Sequence, residues 1–241
     1  MPTLIFITLY SLFVGEIACM CKNKSMIVTD EKFALLVNYF KDGTRAVYKK
    51  GELVIRPQES PNHIYYIESG FVKAYSITKY GDENVHLIRH KDEVFPLIWT
   101  FTEDHRDVAY EVLEAAVIWR RPKTDYLDYL EKNPDIALAV LGIAMRAYRT
   151  FAEHVNTLEY RTVRERAVSF LLACCRRFGV QNDDGSVLIS APLKQQDIAS
   201  SINASRETTS RELSVLARKG LIVVNDRTIL VIDPTKLQAM L

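Results

Sequence analysis

Apolar residues recur along this chain with two periods, and the change from one to the other divides it. From about Thr44 to Trp119 they fall in short β-rich runs: Arg45–Lys49, Leu53–Arg56, His63–Ile67, Phe71–Thr78, Val85–Arg89 and Val108–Arg120. Lys50-Gly51, Ser69-Gly70 and Tyr80-Gly81-Asp82-Glu83 separate some of them as turn signals. Many short strands at regular spacing predict a β-barrel or jelly roll. Beyond Asn133 the period becomes helical. Pro134 suits a first helical turn, and Ile136, Val140, Ile143, Ala147, Phe151, Val155 and Leu158 follow at steps of three and four. That stripe is long for a helix that merely covers a small roll, so it predicts a coiled-coil seam. The rival reading is a helix facing the protein's own core. Arg161–Phe178 continues as a further helix, and Gly179–Gly185 is a loop.

The pattern changes again over residues 194–233. Lys194–Ile202 reads as a short helix with Ile198 and Ile202 on one face. Asn203-Ala204 makes a turn, since Asn tolerates the left-handed conformation. Ser205 is placed to cap a second helix, whose inward stripe is Thr209, Leu213, Leu216 and Ala217. Gly220 is placed to stop it. Leu221–Val224, Asn225–Arg227 and Thr228–Ile232 then read as strand, turn and strand. Arg206, Glu207, Ser210 and Arg211 lie on the outer faces of the second helix. Long polar side chains crowded at one helix N-terminus suit the reading of base edges in a DNA major groove. A charged outer face also has a plainer meaning, a solvated surface, and helix-turn-helix spacing alone does not separate the two. The hairpin that follows adds weight to DNA.

S-R-E-T-x-S-R (Ser205–Arg211), preceded by Q-x-D-I-A and followed by L-x-x-L-x-x-K-G-L-I, resembles the winged helix-turn-helix of the CRP/FNR superfamily of bacterial transcription regulators. Y-K-K-G-E-L-V-I-x-P and I-Y-Y-I-E-S-G-F-V-K-A-Y resemble the first strands of that family's β-roll. The resemblance can be traced over about residues 40–235. It implies an α+β fold: a jelly-roll-like N-terminal sensor domain (26–132), a long dimerisation helix (133–160) and a C-terminal winged helix-turn-helix (161–241). It also implies roles for single residues. Arg206 and Arg211 would donate to guanine and Glu207 would accept from cytosine, with Ser210 reading as in the FNR branch. Gln196, Ser205 and Thr208 match positions that hold phosphates. The expected operator is an inverted repeat with a TGTGA-like or TTGA-like core. The dimer helix would pair through Ile136, Val140, Ile143, Ala147 and Phe151.

The sensor half departs from the family pattern. Members that bind cyclic nucleotide carry G-E-L and R-S-A segments around ribose and phosphate. Here the first is Phe95-Pro96-Leu97-Ile98, where Pro96 has no N–H to donate. The second is His105-Arg106-Asp107-Val108-Ala109-Tyr110, where Asp107 would repel phosphate. Cyclic AMP or GMP is therefore not the expected ligand. Phe95, Trp99, Phe101, Tyr110 and Trp119 stand instead as core fillers or, in the alternative, with Phe95, Trp99 and Tyr110 lining a pocket for an apolar effector. His63, His86, His90, His105 and His154 show no metal-ligand spacing, and nothing marks one of them as a haem ligand.

Composition changes the picture in two places. The chain has 241 residues, 48% hydrophobic and 25% charged, which suits two soluble domains. Its net charge of +1 is low for a nucleic-acid binder. Residues 161–241, however, hold 12 Lys/Arg against 8 Asp/Glu, and residues 1–160 hold 19 against 22. The basic excess therefore sits in the half with the helix-turn-helix. The cysteines, Cys19, Cys21, Cys174 and Cys175, fit neither a zinc site nor a disulfide framework. They also lack the cluster an FNR-type iron–sulfur centre requires, so no cofactor is expected. One of Cys174 and Cys175 is expected in the core.

Residues 1–25 open with an apolar run, Leu4–Val14, too short to span a bilayer and without a signal peptide's basic start. It packs on the protein, directs it weakly to a membrane, or precedes a native start at Met20 or Met26; the last is the expectation. The chain is thus expected to be a cytoplasmic homodimeric regulator that binds double-stranded DNA, without stable membrane insertion. An activator would also touch RNA polymerase, though no motif shows that surface. The alternative is a small-molecule sensor whose winged helix contacts another protein. An enzyme is disfavoured, since no nucleophile–base pair, metal signature or glycine-rich phosphate loop is present.

Overall fold

A computed structural model describes residues 29–102, 107–160 and 162–241. Residues 1–25, with Cys19 and Cys21, and His105-Arg106 fall outside the described residues. Helix α1 (Asp30–Lys41) opens them, capped by Thr29, whose hydroxyl accepts from Lys32 N. Eight strands follow: β1 (Thr44–Tyr48), β2 (Leu53–Ile55), β3 (His63–Ser69), β4 (Val72–Ile77), β5 (Glu83–Arg89), β6 (Val94–Phe95), β7 (Ala109–Val112) and β8 (Ala116–Pro122). A short helix α2 (Leu97–Thr102) lies between β6 and β7. The run expected from Val108 to Arg120 is two strands, broken at Leu113–Ala115.

The strands form two antiparallel sheets, β1-β8-β3-β6 and β2-β7-β4-β5. Their inner faces enclose Ile55, Tyr65, Ile67, Val72, Phe95, Tyr110, Val112 and Ile118. This is the expected roll. Several strands are buried on both faces, so polar and apolar residues do not simply alternate along them. In β3, Tyr65 and Ile67 point inward while Ile64 and Tyr66 pack outward against helices. The helices on that outer face are α1, α3 (Lys123–Lys132) and the first half of α4 (Pro134–Glu159). Neither α1 nor α3 was evident in the sequence pattern.

Helix α4 corrects the expected seam. Ile136, Val140 and Ile143 are buried at 4%, 2% and 4% exposure, packed with Leu36, Phe40 and Tyr126 in the chain's own core. They are unavailable to a second protomer. Ala147 is half-buried, and only Phe151 of the five expected residues is exposed. The reason is geometric. From Ile143 to Val155 the expected stripe takes three steps of four, each overshooting a 3.6-residue turn, so it rotates by about a third of a turn. The outward stripe is Leu138, Leu141, Met145, Tyr148, Phe151, Val155 and Leu158, each between 41% and 68% exposed.

The C-terminal half does not continue α4. The chain leaves it at Tyr160, with φ −62° and ψ 137°, and α5 (Val163–Phe178) starts anew. Thr162 accepts from Glu165 N and Glu165 accepts from Thr162 N, a capping box. Strands β9 (Gly179–Gln181) and β10 (Val187–Ile189) follow; β9 falls within the Gly179–Gly185 stretch expected as a loop, and β10 lies just beyond it. Helices α6 (Gln195–Ser201) and α7 (Arg206–Arg218), strands β11 (Ile222–Asn225) and β12 (Thr228–Val231), and helix α8 (Pro234–Gln238) complete the domain. Its sheet runs β11-β12-β10-β9. One apolar cluster joins this domain to the roll: Tyr75, Val85, Ile88, Ala109 and Leu113 pack with Phe170, Phe178, Ile198, Leu216 and their neighbours. Among the described residues, no helix is long and apolar enough to cross a membrane.

Candidate nucleic-acid interface

The local sequence fixes the ends of α7 and leaves its first turns open. Asn203 adopts φ 50° in the turn after α6. Ser205 Oγ accepts from Thr208 N at 3.1 Å and donates to Thr208 Oγ1 at 3.0 Å. At the other end Gly220 takes φ 69°, with Gly220 N donating to Ala217 O and Leu221 N to Leu216 O. These two bonds make a Schellman motif. Thr209, Leu213 and Leu216 are buried beneath. Arg206, Glu207 and Arg211 are exposed, and Thr208 and Ser210 are half-exposed beside them. The structure thus gathers the five on the open surface of two helical turns. Gln196 stands apart on α6, exposed, with Nε2 donating to Ser200 Oγ at 3.2 Å. Ser205's single O–H is already given to Thr208 Oγ1, so its hydroxyl meets an acceptor such as a phosphate oxygen only by giving up that bond.

Two residues that the sequence reading passed over hold this surface in place. Arg166 of α5 donates from Nε to Ile202 O at 2.8 Å and from Nη2 to Asn203 O at 3.4 Å. It thereby occupies carbonyls at the end of α6 and the turn. Arg164 Nε donates to Glu212 Oε2 of α7 at 2.7 Å. The Thr162–Glu165 capping box, legible in the sequence, is the signal that sets both arginines on the first turns of α5. The β11–β12 hairpin ends at Asp226, with φ 42°, and exposed Arg227. Lys194, Arg206, Arg211, Arg218, Lys219 and Arg227 are all exposed, which suits a polyanion.

Comparison with known proteins agrees with this geometry. A Crp-like helix-turn-helix domain model matches residues 165–240, and a cyclic nucleotide-binding domain model matches residues 45–133. The chain belongs to the CRP/FNR superfamily of transcription regulators. The global nitrogen regulator of a Nostoc species is 28% identical over 222 residues, covering 88% of this chain and 98% of that protein. The CRP-like cAMP-activated global transcriptional regulator of Mycobacterium tuberculosis is 25% identical, covering 79% and 84%. The solved structure of FixK2 from Bradyrhizobium japonicum shares the fold with a TM-score of 0.72 and 21% identity, covering 82% and 96%. These relatives are regulators, not enzymes.

The roll of this CRP/FNR regulator is packed with aromatic side chains. Phe95 is fully buried and stacks on Tyr65 at 5.3 Å and on Tyr110 at 4.8 Å between ring centres. Burial raises the Tyr65 hydroxyl to about 12. Trp99 does not join the stack: it is half-buried, with Nε1 donating to Pro61 O at 2.9 Å and Lys123 over its ring. Phe101 is exposed, and Trp119 donates to Glu68 Oε2 at 2.6 Å. The three expected effector-pocket residues therefore split, with Phe95 and Tyr110 as roll core and Trp99 outside it. Cys174 is the buried cysteine, and Cys175 is half-buried.

Proposed function

We propose that this CRP/FNR regulator reads an inverted-repeat operator as a homodimer. Arg206 and Arg211 donate to guanine, Glu207 accepts from cytosine, and Ser210 contacts the same half-site. Gln196, Thr208 and the wing residue Arg227 meet phosphates and set register. The observation that carries this reading is the exposure of Arg206, Glu207 and Arg211 on the first two turns of a helix capped at both ends.

Two recognition helices must lie about 34 Å apart to enter successive major grooves. The outward face of α4 supports such pairing: Leu138, Leu141, Met145, Tyr148, Phe151, Val155 and Leu158 recur at heptad-like steps of three and four. In this reading the roll binds no cyclic nucleotide, because Pro96 lacks an N–H and Phe95 and Tyr110 are stacked within the core. The test is selection of bound sites from random duplex DNA, with purified protein at fixed salt. An enriched inverted repeat with a G-containing half-site is expected. No enrichment, with protein that is folded and dimeric, overturns the reading of Arg206 and Arg211.

A further inference from the structure

Lys73 of β4 is 4% exposed on the outer face of the roll. Strand alternation sends Val72 and Ala74 into the roll core and turns Lys73 and Tyr75 outward, onto a face that would meet water in an isolated roll. The winged-helix domain covers that face. Tyr75 and Val85 belong to one apolar cluster with Ile198 of α6, and the Lys73 ammonium bridges the two domains beside it. It lies 2.6 Å from Glu83 of β5, 3.6 Å from Glu111 of β7 and 3.4 Å from Asp197 in the first turn of α6. Glu111 stands directly opposite Lys73 in the β4–β7 ladder. Asp197 is as buried as Lys73, and its other oxygen accepts from Lys194 N at 3.0 Å, which ties it to the backbone at the start of α6.

We propose that Lys73 is a positioning residue for DNA reading: gripped by Glu83 and Glu111, it fixes Asp197, and with it α6 and the recognition helix α7, in one pose on the roll. The apolar cluster draws the domains together without direction. Charge-assisted contacts are directional and set the register within that cluster. A buried ion bridge also penalises displacement, because a sliding domain would leave buried charges uncompensated. Arg177 of α5 supplies a second fixed point, with Nη2 donating to Ile88 O at 2.7 Å and to Glu93 Oε1 at 3.0 Å. Polar anchors on both α5 and α6 oppose rotation of the domain over the cluster.

Given that α7 reads DNA, on which this proposal rests, the pose of each winged helix on its roll sets the distance and angle between the two α7 helices of a dimer. The bases that one α7 reads depend instead on Arg206, Glu207 and Arg211. Lys73 should therefore govern the spacing of half-sites and not their sequence.

The test uses the full chain as wild type, as Lys73→Met, as Asp197→Asn and as the double variant. Asn keeps an oxygen for Lys194 N but turns amide N–H groups toward the ammonium. Affinity is measured at fixed salt on the operator obtained by selection, on operators with one base pair added to or removed from the spacer, and on single-base variants of the half-site. One base pair rotates a half-site by about a tenth of a turn. Wild type should discriminate among the spacers. Lys73→Met leaves Asp197 facing two carboxylates across the junction. Its spacer discrimination should fall at least about fivefold, the low end of coupling between sites, with the base profile unchanged. Asp197→Asn should lose less, since Lys73 keeps Glu83 and Glu111. The double variant should regain part of what Lys73→Met loses, because the carboxylate opposed to Glu83 and Glu111 is gone. A general packing defect would instead lower affinity on all sites alike, and independent defects would add. Either result overturns the proposal, as does a spacer preference that every variant keeps. X-ray scattering from the DNA-free proteins reads the pose without DNA: Lys73→Met should be more extended than wild type, and the double variant less extended than Lys73→Met. If wild type itself binds no inverted repeat, the reading of α7 has failed and scattering alone judges the clamp, with equal profiles for wild type and Lys73→Met overturning it. Should Lys73→Met not fold, Asp197→Asn makes both comparisons with wild type, and no change in either overturns the proposal.

Discussion

The roll and the winged helix-turn-helix turn their most distinctive side chains in opposite directions. In the roll, Tyr65, Phe95 and Tyr110 stack inside. In the winged helix, Arg206, Glu207 and Arg211 stand outside on a helix whose ends are fixed by its own sequence. Helix α4 lies between and has one face of each kind: Ile136, Val140 and Ile143 inward, Leu141, Met145 and Tyr148 outward. Apolarity does not distinguish its two faces; only their neighbours do.

The largest effect should come from the outward face of α4. In the proposed dimer, Leu141→Glu would remove an apolar contact from both protomers at once and place two carboxylates across the seam. At about 1.5–3 kcal/mol for each buried leucine, the dimer Kd should rise on the order of 10²–10⁴-fold. Sedimentation should then show monomer with an unchanged far-ultraviolet spectrum. Dimers that persist would move the seam elsewhere. The inward counterpart is Phe95→Ala, which empties the middle of the aromatic stack and should cost about 3–5 kcal/mol. Both tryptophans, Trp99 and Trp119, lie in the roll, so fluorescence-detected urea unfolding reports on that domain. A loss below about 1 kcal/mol would mean that the stack is not packed core.

The same contrast explains what the sequence made legible. The α6–α7 pair was readable because its signals are local: Asn203 for the turn, Ser205 for the cap, Gly220 for the stop. The strands of the roll were readable from their spacing and turn glycines, and Gly70 shows why one of those glycines is needed. It sits at φ 94°, and a Cβ there would lie 2.7 Å from the backbone of Ala116. Lys73 was not readable. Its strand context, F-V-K-A-Y, gives a lysine on the outer face, and only the docked domain makes that face interior. The seam of α4 was misread for a related reason, since α1 and α3, which cover its inward face, left no strong pattern. Arg164 and Arg166 gave only an indirect signal, because the groups they hold on α7 and at the end of α6 lie 48 and 36 residues away.

The outward chemistry of α7 is sharpened by Arg211→Ala. A bidentate contact to guanine contributes about 1–3 kcal/mol of discrimination, so affinity should fall by that amount and preference should relax at one base pair. Arg227→Ala at the wing tip provides the contrast. It should weaken binding evenly across sequences and reduce the salt slope by about one. The two should separate when binding is measured on the selected site and on its single-base variants at several salt concentrations. An unchanged base profile for Arg211→Ala would return that arginine to the phosphate backbone.

The smallest expected effect is none at all, and it falls on the roll. Cyclic AMP added in large excess should leave DNA affinity and the roll's unfolding midpoint unchanged. A ligand that binds only the folded roll must stabilise it by mass action, by roughly 2.7 kcal/mol at a hundred times Kd, so the unfolding midpoint is a sensitive detector even if binding has no effect on DNA. The expectation rests on two features of β6 and the turn after it. Pro96 offers no N–H to a phosphate, and its carbonyl is already engaged by Thr100 Oγ1 at 2.7 Å. Phe95, one residue earlier, is held in the stack and cannot leave without opening the core. A raised midpoint without a change in DNA affinity would show that the roll has kept a binding site and lost its coupling to α7. A rise in both would restore cyclic nucleotide as the signal and make the aromatic stack a movable part.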